Sequence, residues 1–397
     1  LKKWYNYKAS TTIKPTEMKV FFTLDSLALG GTERSTLDIV SKFSKDTTVK
    51  VVYFYPGDDL KMSYQKAGIA LHDVQVKGKK NYISAIRSLI KLIKKDKPDI
   101  IVSSIARADL ISRIAGLITG TPVIGTFVND TYGSIRIQEQ KERKLYLKFL
   151  VYWALDKWTA LIPKYWISNC KSIAYSNGKA LAIRAKKTQV IYRGRDTDQF
   201  ESWAPSSTAE QFKFVFVGRL MERKGLGELL DVFIVLKKKY PHIHLDIYGA
   251  GGFGKQLLEK IEAAGVKESA ILHGSVLNGF KKLYQAHCFM FPSWYEGFSG
   301  SLVEAMIAGI PIIASNITMN MEAVTDEKTA LVFEVKNTQA LEAKMERMIL
   351  EYPQMIEMGA RARKEALERF DIKVIANQYE QFLKDVVNKK VNQNHLI

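Results

Sequence analysis

From Met18 onward, short apolar runs alternate with segments of helical period. MKVFFTLDSL reads as a strand and TERSTLDIVSKF as the amphipathic helix after it. VKVVYFY, ALHDVQV, DIIVSSI and TPVIGTFV repeat the strand signal, with SAIRSLIKLIKK and LISRIAGLI helical between them. That alternation predicts a mainly parallel sheet covered by helices. It falters at ESWAPSSTAE (201–210), which is small, polar and proline-bearing and reads as a linker. It then restarts with FKFVFVG, LGELLDVFIVLKKK, IHLDIYG, KQLLEKIEAAG, AILHG, FKKLYQAH, CFMFPS, SLVEAMIAG and IPIIAS. A second open α/β domain follows. The expected boundaries are an extension over 1–17, one domain over 18–200, another over 211–370, and a C-terminal helix over 371–397 placed to pack back on the first domain.

Length and composition agree with this division. At 397 residues the chain exceeds one ordinary core, and 47% hydrophobic with 25% charged residues is the balance of a globular protein. Cys170 and Cys288 make no disulfide framework and suit a reducing compartment. No run approaches the length of a spanning helix, and the first residues lack the apolar core of a signal peptide. The net charge of +18 lies entirely in residues 1–200, which hold 35 Lys+Arg against 17 Asp+Glu; the remainder holds 24 of each. Such asymmetry points to an anionic partner for the first domain, against the plainer reading of a basic surface that aids solubility.

Open parallel sheets bind ligands at the carboxyl ends of their strands, so the strand-to-helix loops are the places to read. In FPSWYEGFSGSLVEAMIAGIPIIAS (291–315), CFMFPS is a strand, WYEGFSG a loop and SLVEAMIAG a helix. Gly297 and Gly300 admit close approach of backbone N–H groups, and a helix starting at Ser301 adds unpaired donors: a cradle for a diphosphate. Glu296 and Glu304 flank it and, being carboxylates, suit sugar hydroxyls beside the phosphates. Ser301-x-x-Glu304 is equally a capping box that needs no ligand. FVFVGRLMERKG (214–225) supplies cations, Arg219 and Lys224, on a loop after a buried strand.

Together VGRLMERKG, YGAGG, LHGSV, PSWYEGFSGSLVEAMIAGIPIIAS and VIYRGRDTDQF, behind an early GGTER, resemble the retaining glycosyltransferases of family 4. The resemblance runs in consistent order from about Met18 to Phe370. It implies an α/β architecture of the GT-B type: two Rossmann-like doubly wound domains facing each other across a cleft. The first would bind the acceptor and the second a nucleotide-sugar, UDP-linked by resemblance, with no metal and no further cofactor. Glu296 and Glu304 match the family's E-x7-E element, Glu296 on the transferred sugar and Glu304 on the ribose. Glu296, Arg219 and Lys224 would carry the catalysis, the two cations neutralising the leaving diphosphate. Gly297, Phe298, Ser299, Gly300, Ser301 and Leu302 would line the donor site with Gly218. Gly30 and Gly31 would bring the first domain against the donor, and Gly249 with His273 to Val276 would border the base. Two departures stand out. Val128 falls where the family has a histidine near the sugar, leaving Asn129 or Asp130 to substitute, or a donor that differs around its sixth carbon. Arg193 replaces a common asparagine and adds a cation to the cleft.

The segment QKERKLYLKFLVYWALDKWTALIPKYWIS (140–168) interleaves Lys and Arg with Trp, Tyr and Leu. An aromatic-basic helix of this kind lies at an anionic membrane surface, or else packs inside the domain with Trp153, Trp158 and Trp166 buried. The first reading implies a cytoplasmic enzyme, peripheral on the membrane, with a lipid-linked or glycan acceptor. A nucleic-acid partner is not expected, because no RNA- or DNA-binding module is present and the basic residues form no single stripe. A sugar-nucleotide epimerase and a non-catalytic nucleotide-sugar binder remain the alternatives on the same fold.

Overall fold

A computed structural model of the chain describes residues 17–76, 81–142, 145–204, 211–389 and 391. Most of the expected N-terminal extension, and residues 205–210 of the expected linker, lie outside the described residues.

The first sheet holds β1 (Met18–Leu24), β2 (Thr47–Tyr53), β3 (Ala70–Asp73), β4 (Ile100–Ser103), β5 (Val123–Phe127), β6 (Tyr165–Ser168) and β7 (Thr188–Val190), ordered 3-2-1-4-5-6-7. The second holds β8 (Phe212–Val217), β9 (Ile243–Tyr248), β10 (Ala270–Gly274), β11 (Cys288–Phe291), β12 (Ile312–Ser315) and β13 (Leu331–Phe333), ordered 10-9-8-11-12-13. Every pairing within both sheets is parallel. These are doubly wound, Rossmann-like sheets. Their strand order reverses between β1 and β4 and between β8 and β11, and loops leaving those strands frame the ligand crevice.

The side-chain period of two explains the layering. Val20, Phe22 and Leu24 of β1 face one core, while Phe21 faces another formed with helices Tyr82–Asp96 and Ala106–Thr119. The first of these cores is closed by the helix Ile372–Val387, whose Ile375, Tyr379, Phe382, Leu383 and Val386 are buried there. The end of the chain thus recrosses to the first domain. The two crossings are hydrogen-bonded to each other, Arg195 N–H to the Phe370 carbonyl at 2.9 Å and Ile372 N–H to the Arg195 carbonyl at 2.8 Å.

One expectation needs correction. The aromatic-basic segment is not a single helix: it divides into Ser134–Glu142, Tyr146–Thr159 and strand β6. Pro163 precedes the strand and cannot continue a helix, and Tyr165–Ser168 fills the gap between β5 and β7. Trp166 is accordingly buried and stacked on Phe127 at 4.3 Å, whereas Trp158 is 83% exposed.

Candidate functional site

On the second domain the site is assembled by glycines. Gly225 ends the turn Glu222–Lys224 at φ +68°, and a Cβ there would overlap the Pro292 carbonyl. That close approach sets the loop after β8 against the loop after β11. Lys224 is consequently buried and its Nζ pairs with Glu296 Oε1, which also accepts from Ser293 Oγ at 2.9 Å. Gly249, at φ +147°, would carry a Cβ into the Gly218 carbonyl, so the loop after β9 closes on the same strand end.

The helix expected from Ser301 begins at Gly300, with Ser299 as N-cap and no side-chain cap bond. Ser299 and Ser301 hydroxyls lie 3.2 Å apart. Glu304 does not form the capping box; its Oε1 accepts from Arg195 Nε at 2.6 Å. Phe298 and Leu302 are core residues, Phe298 packing on Tyr192 and Phe370, so only their main chain can face a ligand. The uncapped start of this helix presents free amides and the positive end of its dipole, and Glu296, four residues before it, holds Lys224.

The first domain faces this cradle. A Cβ on Gly297 would lie 2.7 Å from the Val128 carbonyl and 3.3 Å from Asn129 Oδ1. The Asn129 carbonyl accepts from Asn177 Nδ2 at 2.9 Å, whereas Asp130 turns inward and accepts from Ser176 Oγ at 2.6 Å. The Arg193 guanidinium lies beside Gly31, 3.5 Å from where a Cβ would stand, an ordinary contact distance. Burial and the nearby Arg195 pull Arg193 down to about 10, opposed by Glu296, Glu304 and Asp38, so it stays charged at neutral pH. Arg219 is exposed and acts across the cleft on Glu33, where burial raises the carboxyl pKa and Arg219 and Arg193 oppose. Val276 borders the Gly279 backbone, and His273 stacks on Tyr248 while pairing with Asp246 at 2.7 Å.

Two charged residues of this site went unread in the sequence. Glu33 stands inside GGTER, where only the glycines drew attention, although a Cβ on Gly30 would overlap its carboxylate. Arg195 stands in YRGRD, and its reach to Glu304 spans 109 positions of sequence.

A cavity of about 530 Å³ opens beside Asn129, between the end of β5 and helices Ser134–Glu142 and Tyr146–Thr159. Among its lining residues Asp109 Oδ1, Arg113 Nε, Trp166 Nε1 and Asn177 Oδ1 are buried without hydrogen-bond partners. Burial pushes the Asp109 carboxyl up to about 7 despite Arg113 and Ser103. Leu147, Val151, Leu155 and Trp158 lie on one outward stripe of helix Tyr146–Thr159, and Leu161 follows it.

Comparison with known proteins agrees with this architecture. The model described as Glycosyltransferase Family 4 matches residues 29–199, and that described as Glycosyl transferases group 1 matches 198–365. The capsular polysaccharide biosynthesis glycosyltransferase CapM of Staphylococcus aureus is 24% identical, over 80% of this chain and 87% of its own length. An Escherichia coli UDP-Gal:alpha-D-GlcNAc-diphosphoundecaprenol alpha-1,3-galactosyltransferase is 26% identical, over 64% of this chain and 67% of its own. The match to an uncharacterized glycosyltransferase of Methanocaldococcus jannaschii, 27% identical, covers 57% of this chain and 58% of that protein. Among solved structures, Anabaena Alr3699/HepE in complex with UDP superposes with a TM-score of 0.78 at 20% identity, covering 93% of this chain and 100% of that one.

Proposed function

The chain belongs to glycosyltransferase family 4 and has the GT-B fold, and we propose that it moves a sugar from a UDP-linked donor to a lipid-linked glycan acceptor. On this reading transfer retains the anomeric configuration, needs no metal ion, and serves cell-surface polysaccharide assembly at the cytoplasmic face of a membrane. The observation that carries the proposal is the meeting of Lys224 and Glu296 at an uncapped helix start, with Val128 and Asn129 of the other domain opposite.

The chemistry follows from charge. The bond from the anomeric carbon to the diphosphate oxygen breaks, and its electron pair leaves with the phosphate. The acceptor hydroxyl oxygen bonds to the same face of that carbon, and its proton passes to the departing phosphate. Lys224, Arg219 and the amides from Gly297 to Ser301 stabilise the growing charge. Donor binding draws Lys224 from Glu296 to phosphate and releases that carboxylate for sugar hydroxyls.

The cavity beside Asn129 is the acceptor's place in this scheme. Its volume suits a small-molecule site, its unpaired buried groups suit hydroxyls, its Arg107, Arg136 and Lys148 suit an acceptor phosphate, and the exposed apolar stripe on the outer side of helix Tyr146–Thr159 suits a lipid surface beside it. The polyprenyl-linked acceptor named for the Escherichia coli relative supports that choice. A panel of sugar nucleotides tests the whole reading by thermal stabilisation and hydrolysis. Stabilisation by UDP-sugars and sugar transfer to a lipid-linked acceptor are expected. Absence of stabilisation by any sugar nucleotide, or release of an epimerised one, would overturn it.

A further inference from the structure

Arg195 occupies the cleft in a way that neither the loops nor the fold explains. Its backbone is fixed by the two crossings between domains, while its side chain reaches over the second domain. Nε donates to Glu304 Oε1 at 2.6 Å, Nη1 donates to the Gly194 carbonyl at 3.0 Å, and Asp38 Oδ2 of the first domain stands 3.8 Å away. A Cβ on Gly300 would overlap Nη2, so the guanidinium lies directly on the first residue of helix Gly300–Ala308. A cation there is opposed by the helix dipole. Here Glu304 and Asp38 hold it in place, over amides with no capping side chain.

We propose that Arg195 is a donor-site residue that couples the two halves of the nucleotide. Its Nε positions Glu304 for the ribose hydroxyls, and its Nη2 end binds the diphosphate seated on the helix start. The inference rests on the donor reading given above. The geometry suits both duties: a guanidinium presents donors on separate nitrogens in one plane, so it can keep a carboxylate on Nε while meeting phosphate oxygen on Nη2. With phosphate bound, the charge that the dipole opposes gains a counter-ion at that point. Gly300 then has a role besides phosphate approach, which is to leave room for the guanidinium. Specificity follows, since one residue makes a 2′-hydroxyl and a second phosphate favour each other.

Binding of UDP, 2′-deoxy-UDP and UMP to the wild type, Arg195→Met, Arg195→Lys and Gly300→Ala tests this. The wild type is expected to prefer UDP over both analogues. Arg195→Met should bind UDP roughly 10- to 100-fold more weakly, the range for a lost hydrogen bond to a charged group, and both preferences should shrink. Arg195→Lys should keep part of the preference for diphosphate and lose the ribose preference, because one ammonium cannot bridge both groups. Gly300→Ala displaces only the flexible end of Arg195. It should therefore reproduce the Arg195→Met pattern and add little to it in the double variant. Variants that melt earlier but keep both preferences unchanged would make Arg195 a structural brace and overturn the proposal. A wild type that binds no UDP would instead overturn the donor reading on which it rests.

Discussion

Lys224 carries the most specific expectation at the scale of single residues. It is buried against Glu296 at the place where a leaving phosphate would stand. Lys224→Ala should lower kcat by ~10²–10³-fold, about 2.7–4 kcal/mol of barrier. Donor affinity should fall much less, because the backbone amides and Arg219 remain; single-turnover rates beside nucleotide titrations check this. Gly225→Ala should act one step earlier. Its Cβ meets the Pro292 carbonyl, and φ of +68° disfavours any side chain, so a loss of at least ~1 kcal/mol in stability is expected together with loss of activity. Arg219, Lys224 and Glu296 stand out in sequence because they sit on loops after buried strands, whereas Glu304, inside helix Gly300–Ala308, reads equally as a cap partner until its bond to Arg195 is seen. Arg195 does not stand out, since nothing local to YRGRD tells that its guanidinium spans to Glu304.

Among the elements, the helix Ile372–Val387 adds to its apolar packing one buried carboxylate, Glu380. Glu380 accepts from Ser44 N–H at 3.0 Å and from Lys384 Nζ at 2.9 Å, with the Ser44 and Thr47 hydroxyls also bound. Burial raises its pKa, but those hydrogen bonds win and hold it down at about 2. The folded pKa lies below the unfolded value, so the stabilisation is fully present above that unfolded value and is lost as pH falls toward 2. Glu380→Gln should flatten that acid limb in thermal melts from pH 6 to pH 2. At the other seam Glu322 of the second domain accepts from Lys171 N–H at 2.7 Å and Ser172 N–H at 2.6 Å, capping helix Lys171–Leu181 of the first. Glu322→Ala should cost ~0.5–2 kcal/mol by loss of the cap, read as a lower melting temperature. Element type was plain from hydrophobic period; which elements meet was not. Pro163 marked the break before β6, yet only pairing with β5 and β7 makes the residues after it a strand.

For the whole molecule, the charge asymmetry and the outward apolar stripe fall on the same domain. Leu147 is 75% and Trp158 83% exposed, and with Val151 they form one apolar stripe on the domain that carries the charge surplus. Replacing Leu147, Val151 and Trp158 by Ser should abolish flotation with anionic vesicles while leaving melting temperature and donor hydrolysis in solution nearly unchanged. Equal flotation of the variant would remove this stripe from membrane contact. Two parallel α/β domains, and loops after strands that carry Arg219, Lys224 and Glu296, are readable from the chain alone, because hydrophobic period and loop composition are local properties. Only the folded arrangement makes Trp166 core and Trp158 surface, sets Glu304 on Arg195 rather than on its own helix start, and chooses which face of helix Ile372–Val387 closes the first domain. Those outcomes depend on which distant surfaces meet, and long-range contact leaves no mark in the spacing of neighbouring residues.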